Sequence, residues 1–189
     1  MLQLITEQIN NLLTNQTRVV MAIDGDCAAG KTTLAKHLAT IYDCDIVHVD
    51  DFFLQPHQRT QERLAQAGGN LDYERLLTDV LEKLTTNQAF SYHPFNCKTL
   101  DFDQPVQLLG KQLTIIEGSY SQHPLLAKHY DLKVFLTVNA DEQLTRILAR
   151  NGKLMLERFK NEWIPREKEY AAVFKIPEQS DILLHNLVY

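Results

Sequence analysis

The sequence predicts an α/β fold: three layers, α/β/α, around a mostly parallel sheet of about five strands, with a helical lid. Three observations carry that expectation. Apolar, strand-like runs alternate with helix-period segments along the whole chain. Acidic residues close several of those runs, at the strand ends where open parallel sheets bind ligands. Between the first run and the next helix lies GDCAAGKTT, which takes two of only seven glycines. With 189 residues, 44% of them hydrophobic, the chain has material for one well-cored domain, residues 1–189.

The elements follow in order. MLQLITEQINNLLTNQTR lacks the basic start and unbroken apolar core of a secretory signal. Its apolar positions Leu2, Ile5, Ile9, Leu12 and Leu13 predict an amphipathic helix. VVMAID is a short apolar run suited to a buried parallel strand. KTTLAKHLATIY then spaces Leu34, Leu38 and Ile41 as a helix does. CDIVHVD reads as a second strand closing on Asp50 and Asp51, and DYERLLTDVLEKL as a helix burying Leu76, Leu77, Val80, Leu81 and Leu84. QLTIIEG is a third strand ending at Glu117, and DLKVFLTV a fourth. The helix DEQLTRILAR follows, with Asp141 near its positive end, and DILLHN offers a fifth strand. QPHQRTQERLAQAGGN is polar and SYHPFNCKTLDFDQP has no clear period, so both read as substrate-covering segments.

GDCAAGKTT fits the phosphate-binding loop, or P-loop, in full: Gly25-x-x-x-x-Gly30-Lys31-Thr32, with Thr33 as a second hydroxyl. Glycine permits the positive φ that turns successive N–H groups inward, so Gly25, Asp26, Cys27, Ala28, Ala29 and Gly30 can cradle phosphate oxygens. The helix opening at Lys31 adds unpaired N–H groups and a positive dipole end. Lys31 would bridge β- and γ-phosphates, and the Thr32 hydroxyl would ligate Mg²⁺. The plain alternative is a turn joining strand to helix. Cys27 would sit in a positive field able to lower its pKa, or would simply fill a tight loop as a small residue.

Other residues narrow the chemistry. No Asn-Lys-x-Asp element reads guanine, and no Leu-Ser-Gly-Gly signature is present. Asp50 and Asp51 follow a strand beside the loop, where a carboxylate can orient an acceptor hydroxyl and take its proton; a helix-capping pair is the alternative. Glu117 stands where a carboxylate supports Mg²⁺, or is a solvated loop acid. Arg146 and Arg150 are four apart and can share one helix face toward transferring phosphate. They open a basic series, Lys153, Arg158, Lys160, Arg166 and Lys168, that alternates with Glu142, Glu157, Glu162, Glu167 and Glu169. Residues at about 150–170 read as a lid with one or two working arginines, the alternative being solvated ion pairs that account for most of these charges.

GDCAAGKTTLA, VDDFF, EGSY and RILAR together resemble the uridine kinase and phosphoribulokinase group of P-loop kinases, over nearly the whole chain. The DDFF pair is also similar to nicotinamide riboside kinases. The resemblance implies an ATP- and Mg²⁺-dependent kinase acting on a primary hydroxyl of a small molecule such as uridine or cytidine. A kinase of another metabolite, of the nicotinamide riboside or pantothenate type, or a nucleotide-hydrolysing regulatory P-loop protein, is the alternative. It implies Asp50 as the base, with Asp51 beside it on the acceptor side, and Glu117 as the glutamate of the EG element. It also implies that Asp72 reaches ribose hydroxyls and that Tyr92, His93 and Phe95 face the acceptor, the rings of Tyr92 or Phe95 stacking on a base. For Asp72 a helix cap, and for the aromatics ordinary packing, remain open. The chain departs from uridine kinases at RNGKLMLERF in the lid, and at Cys97, near the place of their pyrimidine-reading histidine.

A net charge of −5 argues against nucleic acid as partner, and no run of about eighteen apolar residues predicts a membrane span. Cys27, Cys44 and Cys97 are odd in number and lack metal-binding spacing, which suggests a reducing, cytoplasmic setting.

Overall fold

Every residue of the first strand, β1 (Val19–Gly25), is buried, because it runs through the middle of a sheet covered on both faces. The structure is a computed structural model and describes residues 2–86 and 88–186. Ahead of β1 lies helix α1 (Leu2–Asn15), and after it come α2 (Lys31–Ile41) and β2 (Cys44–His48). Two short helices, α3 (Gln61–Leu64) and α4 (Tyr73–Leu76), precede four short strands: β3 (Phe90–Tyr92), β4 (Phe95–Asn96), β5 (Asp101–Phe102) and β6 (Val106–Leu108). The chain continues through β7 (Leu113–Glu117), α5 (Pro124–Ala127), β8 (Leu132–Thr137), α6 (Ala140–Arg158), α7 (Ile164–Val173), α8 (Ile176–Gln179) and β9 (Ile182–His185).

The main sheet has five strands in the order β2-β7-β1-β8-β9, and every pairing is parallel. Alternation along β1 feeds two cores. Val19, Met21 and Ile23 pack with α1 and α2 through Ile5, Ile9, Leu34 and Leu38. Val20 and Ala22 face the other layer, with Val47, Phe52, Leu76, Tyr92 and Tyr170. This is the three-layer P-loop arrangement. The amphipathic reading of α1 holds, since Ile5 and Ile9 are fully buried and the Tyr42 hydroxyl ties the helix to α2 through Asn10 Oδ1 at 2.9 Å.

Register brings the site together. Glu117 lies opposite Ile23 of β1 and His48 of β2, and Gly25 lies opposite Leu136 of β8. The ends of four strands therefore meet around β1, where connections leave to both sides, the crevice in which such sheets bind ligands.

Three elements differ from the sequence expectation. The helix expected over DYERLLTDVLEKL is one α-turn, then a wider π-type turn at Leu77–Leu81 and a tighter one at Lys83–Thr86. Buried Val80, Leu81 and Leu84 hold it to the core regardless of winding. The aperiodic segment after it forms two small antiparallel ladders, β3 with β6 and β4 with β5, too short to show alternation. The helix expected over DEQLTRILAR runs on to Arg158 across a kink at Gly152, whose φ is 78°.

Candidate active site

The loop is shaped by its two glycines. At Gly25 φ is 137°, and a Cβ there would lie 2.0 Å from the carbonyl oxygen of Leu136, so β1 and β8 could not close up around another residue. Gly30, with φ 100°, turns the chain into α2 in a left-handed conformation that other residues resist. Between them, Asp26 Oδ2 accepts from Val138 N–H at 3.1 Å and fastens the loop to the end of β8. Gln143 of α6 donates from Nε2 to the Cys27 carbonyl at 3.0 Å.

Beneath the loop is a buried carboxylate that the motif did not single out. Asp24 accepts from the N–H groups of Gly25, Tyr120 and Gln122 at 2.7, 3.1 and 3.0 Å, and from the Tyr170 hydroxyl at 2.9 Å. Burial raises its carboxyl to about 6, against the pull of these donors and of Lys31. It is the keystone joining β1, the Gly118–Gln122 turn and α7.

Lys31 turns back on its own loop. Its Nζ donates to the carbonyls of Gly25 and Asp26 at 2.7 and 3.0 Å and to Ser119 Oγ at 3.1 Å. The exposed Thr32 hydroxyl donates to Glu117 Oε1 and Oε2 at 3.0 and 3.1 Å, and the His48 Nδ1–H donates to Glu117 Oε1 at 2.5 Å. The His48 pKa is raised, chiefly by that hydrogen bond and against the effect of burial. Thr33 is exposed one position further along α2.

Asp50 and Asp51 occupy a tight turn, Val49–Phe52, and diverge as adjacent residues must. Asp51 Oδ2 accepts the Tyr92 hydroxyl at 2.7 Å, and the Asp51 carbonyl accepts Arg75 Nη2 at 2.5 Å. Asp50 is open to solvent and accepts no hydrogen bond from the described residues. The cleft still strips hydration from it and raises its pKa, Glu117, Asp51 and Glu167 adding to the effect and Lys31 opposing it.

Of the two expected lid arginines, only one meets the loop. Arg146 donates from Nη1 to the Ala28 carbonyl at 3.2 Å while Glu142 holds its Nε at 2.7 Å. Arg150 turns to Asn151 Oδ1 at 2.8 Å and lies 6.0 Å from the Phe159 ring, away from the loop. Ion pairs do account for much of the charge alternation, as Arg158–Glu162 and Lys160–Glu157 show. Glu167 does not follow that pattern: its Oε2 accepts the Cys27 N–H at 2.9 Å and its Oε1 the Ser119 hydroxyl at 2.7 Å.

Several expectations need correction. Asp72 is a cap, not an open acceptor: its carboxylate takes Arg75 N–H at 3.1 Å and Gln58 Nε2 at 2.9 Å, and the residue is 2% exposed. Tyr92 and Phe95 are buried, so neither offers a free ring face; Tyr92 packs on Phe52 with centroids 5.0 Å apart, and Phe95 meets Phe102 edge-on at 5.7 Å. Within residues 90–108 the exposed rings are His93 and Phe102. With Arg75, Asp79, Lys83, Ser91 and Tyr92 they line a cleft of about 440 Å³, a size that suits a small metabolite. The Cys27 thiol is not activated by a positive field: burial, Glu167 and Asp26 raise its pKa, outweighing Lys31.

Residues 20–176 match the cytidylate kinase-like family. No curated protein sequence matches the chain significantly. Among solved structures, the chain is similar to a proposed fructose transport system kinase from Silicibacter sp. TM1040, at 17% identity and a TM-score of 0.72, covering 97% of this chain and 98% of that one. It is similar to a possible uridine kinase from Bacillus stearothermophilus, at 18% identity and a TM-score of 0.67, covering 95% and 98%. It also superposes on D-glycerate 3-kinase from Cryptococcus neoformans, at 14% identity and a TM-score of 0.61, covering 87% and 85%. At these identities the likeness is one of fold, and it agrees with the five-stranded parallel sheet flanked by helices. The family match spans most of the chain, and the protein belongs to the cytidylate kinase-like family of P-loop kinases.

Proposed function

We propose that the protein transfers a phosphoryl group from ATP, with Mg²⁺, to a primary hydroxyl of a small metabolite, foremost a nucleoside of the uridine or cytidine type. The observation that carries this reading is Asp50: a carboxylate that accepts no hydrogen bond from the described residues, raised in pKa, within the fields of both Lys31 and Glu117. A hydroxyl acceptor needs such a base, and a raised pKa brings the carboxylate nearer the range in which it takes a proton well.

The residues fit the groups this chemistry requires. The Cys27 N–H already holds a carboxylate, so the loop presents a donor to an anion. Thr32 and Glu117 supply adjacent hard oxygen donors suited to a magnesium ion that keeps waters and phosphate oxygens as its other ligands. When bound, the ion neutralises charge on the phosphates. Lys31 would leave the carbonyls of Gly25 and Asp26 for phosphate oxygens, and Arg146 steadies the loop from α6. Asp50 orients the acceptor and accepts its proton. Tyr92 fixes Asp51 and lines the cleft in which the acceptor would lie, with His93 and Phe102 as its exposed rings. Three unpaired cysteines fit a reducing, cytoplasmic setting, and no described helix is long and apolar enough to cross a membrane.

A second reading has an observation of its own. Arg75 and Lys83 outnumber the single acid Asp79 in the cleft wall, and Lys83, with Arg75 once it leaves the His93 carbonyl, could meet an acceptor that carries a phosphate, such as a nucleoside monophosphate. A screen of ATP consumption over nucleosides, nucleoside monophosphates, vitamins and sugars separates the readings. Turnover that requires a hydroxyl acceptor and collapses in Asp50→Asn supports the first. Turnover that depends on a monophosphate and survives that substitution supports the second. ATP hydrolysis indifferent to every acceptor would overturn both and leave a regulatory, nucleotide-hydrolysing protein.

A further inference from the structure

Helix α7 places a carboxylate where the loop is built to take an anion. Glu167 accepts the Cys27 N–H through Oε2 at 2.9 Å and the Ser119 hydroxyl through Oε1 at 2.7 Å, and Ser119 Oγ accepts from Lys31 Nζ at 3.1 Å. One turn along the same helix face, the Tyr170 hydroxyl reaches Asp24 at 2.9 Å. Between these contacts remains a void of about 10 Å³, walled by Asp24, Asp26, Ser119 and Glu167. That is room for one water and not for a phosphate group.

The contact also gathers like charge. Burial raises the carboxyls of Asp26 and Asp50, the charge of Glu167 adds to both shifts, and Lys31 opposes both, joined at Asp26 by Lys168 and the Val138 N–H. Tyr170 is buried in the core, which anchors α7, whereas Glu167 is only partly buried and has a side chain long enough to swing aside. A polyphosphate brings more charge and more acceptor oxygens than one carboxylate and can take over its donors.

We propose that Glu167 is an internal stopper of the nucleotide site: its carboxylate occupies a phosphate position in the free protein and must be displaced before polyphosphate binds. The proposal rests on the reading of residues 25–33 as a phosphate cradle. In the free protein the stopper protects the Cys27 amide and holds Ser119 and Lys31 together. On binding, its loss is subtracted from nucleotide affinity, since a ligand that must displace a resident group binds more weakly by the stability of the contact it breaks.

The test titrates ATP with Mg²⁺, and separately pyrophosphate, into the wild-type protein, Glu167→Gln and Glu167→Asp, with binding heat as readout. Hydrogen exchange at the Cys27 amide is followed without any ligand. Glu167→Gln, which keeps the size and removes the charge, should bind both ligands roughly tenfold tighter and exchange faster at Cys27, given the strength of hydrogen bonds to charged groups. Glu167→Asp, one methylene shorter, should fall between it and the wild type, and serves alone if the Gln variant does not fold. Unchanged or weaker binding in the folded variants, with binding intact in the wild type, overturns the stopper and leaves the cradle standing. Failure of the wild type to bind either ligand overturns the cradle, and the stopper with it.

Discussion

Thr32 and Glu117 are separated by 85 positions in the chain, yet the Thr32 hydroxyl lies 3.0 Å from the Glu117 carboxylate. β7 and β1 run parallel in a register that sets Glu117 level with Ile23, so the first turn of α2 arrives directly above the end of β7. The pair joins the motif to the carboxyl end of an interior strand, and the expectations for substitution follow from it and its neighbours.

Lys31→Ala removes the amine that contacts the Gly25 and Asp26 carbonyls and Ser119. The expected loss in kcat/KM is on the order of a hundredfold or more, read by steady-state phosphotransfer assay. Near-native transfer would remove the loop from the mechanism.

Asp50→Asn should retain the fold and nucleotide binding while kcat drops by roughly a hundred- to ten-thousandfold. Asp51→Asn acts differently, because Asp51 anchors Tyr92 and the turn. It should lower the melting temperature and reduce kcat less severely. Both variants, assayed at saturating acceptor, separate a base from a positioning residue; a dead Asp51→Asn beside an active Asp50→Asn reverses the assignment.

Thiol reagents should discriminate the cysteines. Cys97 is exposed, Cys44 half-buried and Cys27 buried with a raised pKa, so labelling should be fast, intermediate and slow in that order. Peptide mass spectrometry over time reads this. Nucleotide should slow Cys27 further as the loop closes on phosphate; fast labelling of Cys27 in the folded protein would place it outside the cradle.

Asp24 should titrate near 6 in a carbon-13 carboxyl NMR experiment, well above its ordinary value of 3.8. The folded state then holds this proton more tightly than the unfolded chain does. Its stabilising share is complete below the ordinary value and is lost as pH rises through about 6. Tyr170→Phe, which deletes a donor to the carboxylate, should push the titration higher still. A normal aspartate pKa would show the site to be hydrated.

Local chain geometry explains what could be read in advance. The Gly25–Thr33 spacing, the apolar runs at Val19–Gly25 and Leu113–Glu117 and the face of α1 each depend on residues a few positions apart, so composition and period reveal them. The same local reading marks Asp50 just past the run Cys44–His48 and Glu117 at the end of Leu113–Glu117. Asp72 and Tyr92 were misplaced because burial is not a local property: the same Asp-x-x-Arg that would display a carboxylate instead folds it against Gln58, and Phe102 takes the surface position by pairing across from Phe95. Glu167 lies further out of reach. It looked like one more glutamate among lysines and arginines, and its partners, Cys27 and Ser119, stand 140 and 48 positions away. Nothing in the sequence neighbourhood of a charged residue says which backbone N–H it will meet. That is settled when a buried tyrosine three residues on, held by Asp24, fixes the face that α7 turns to the loop.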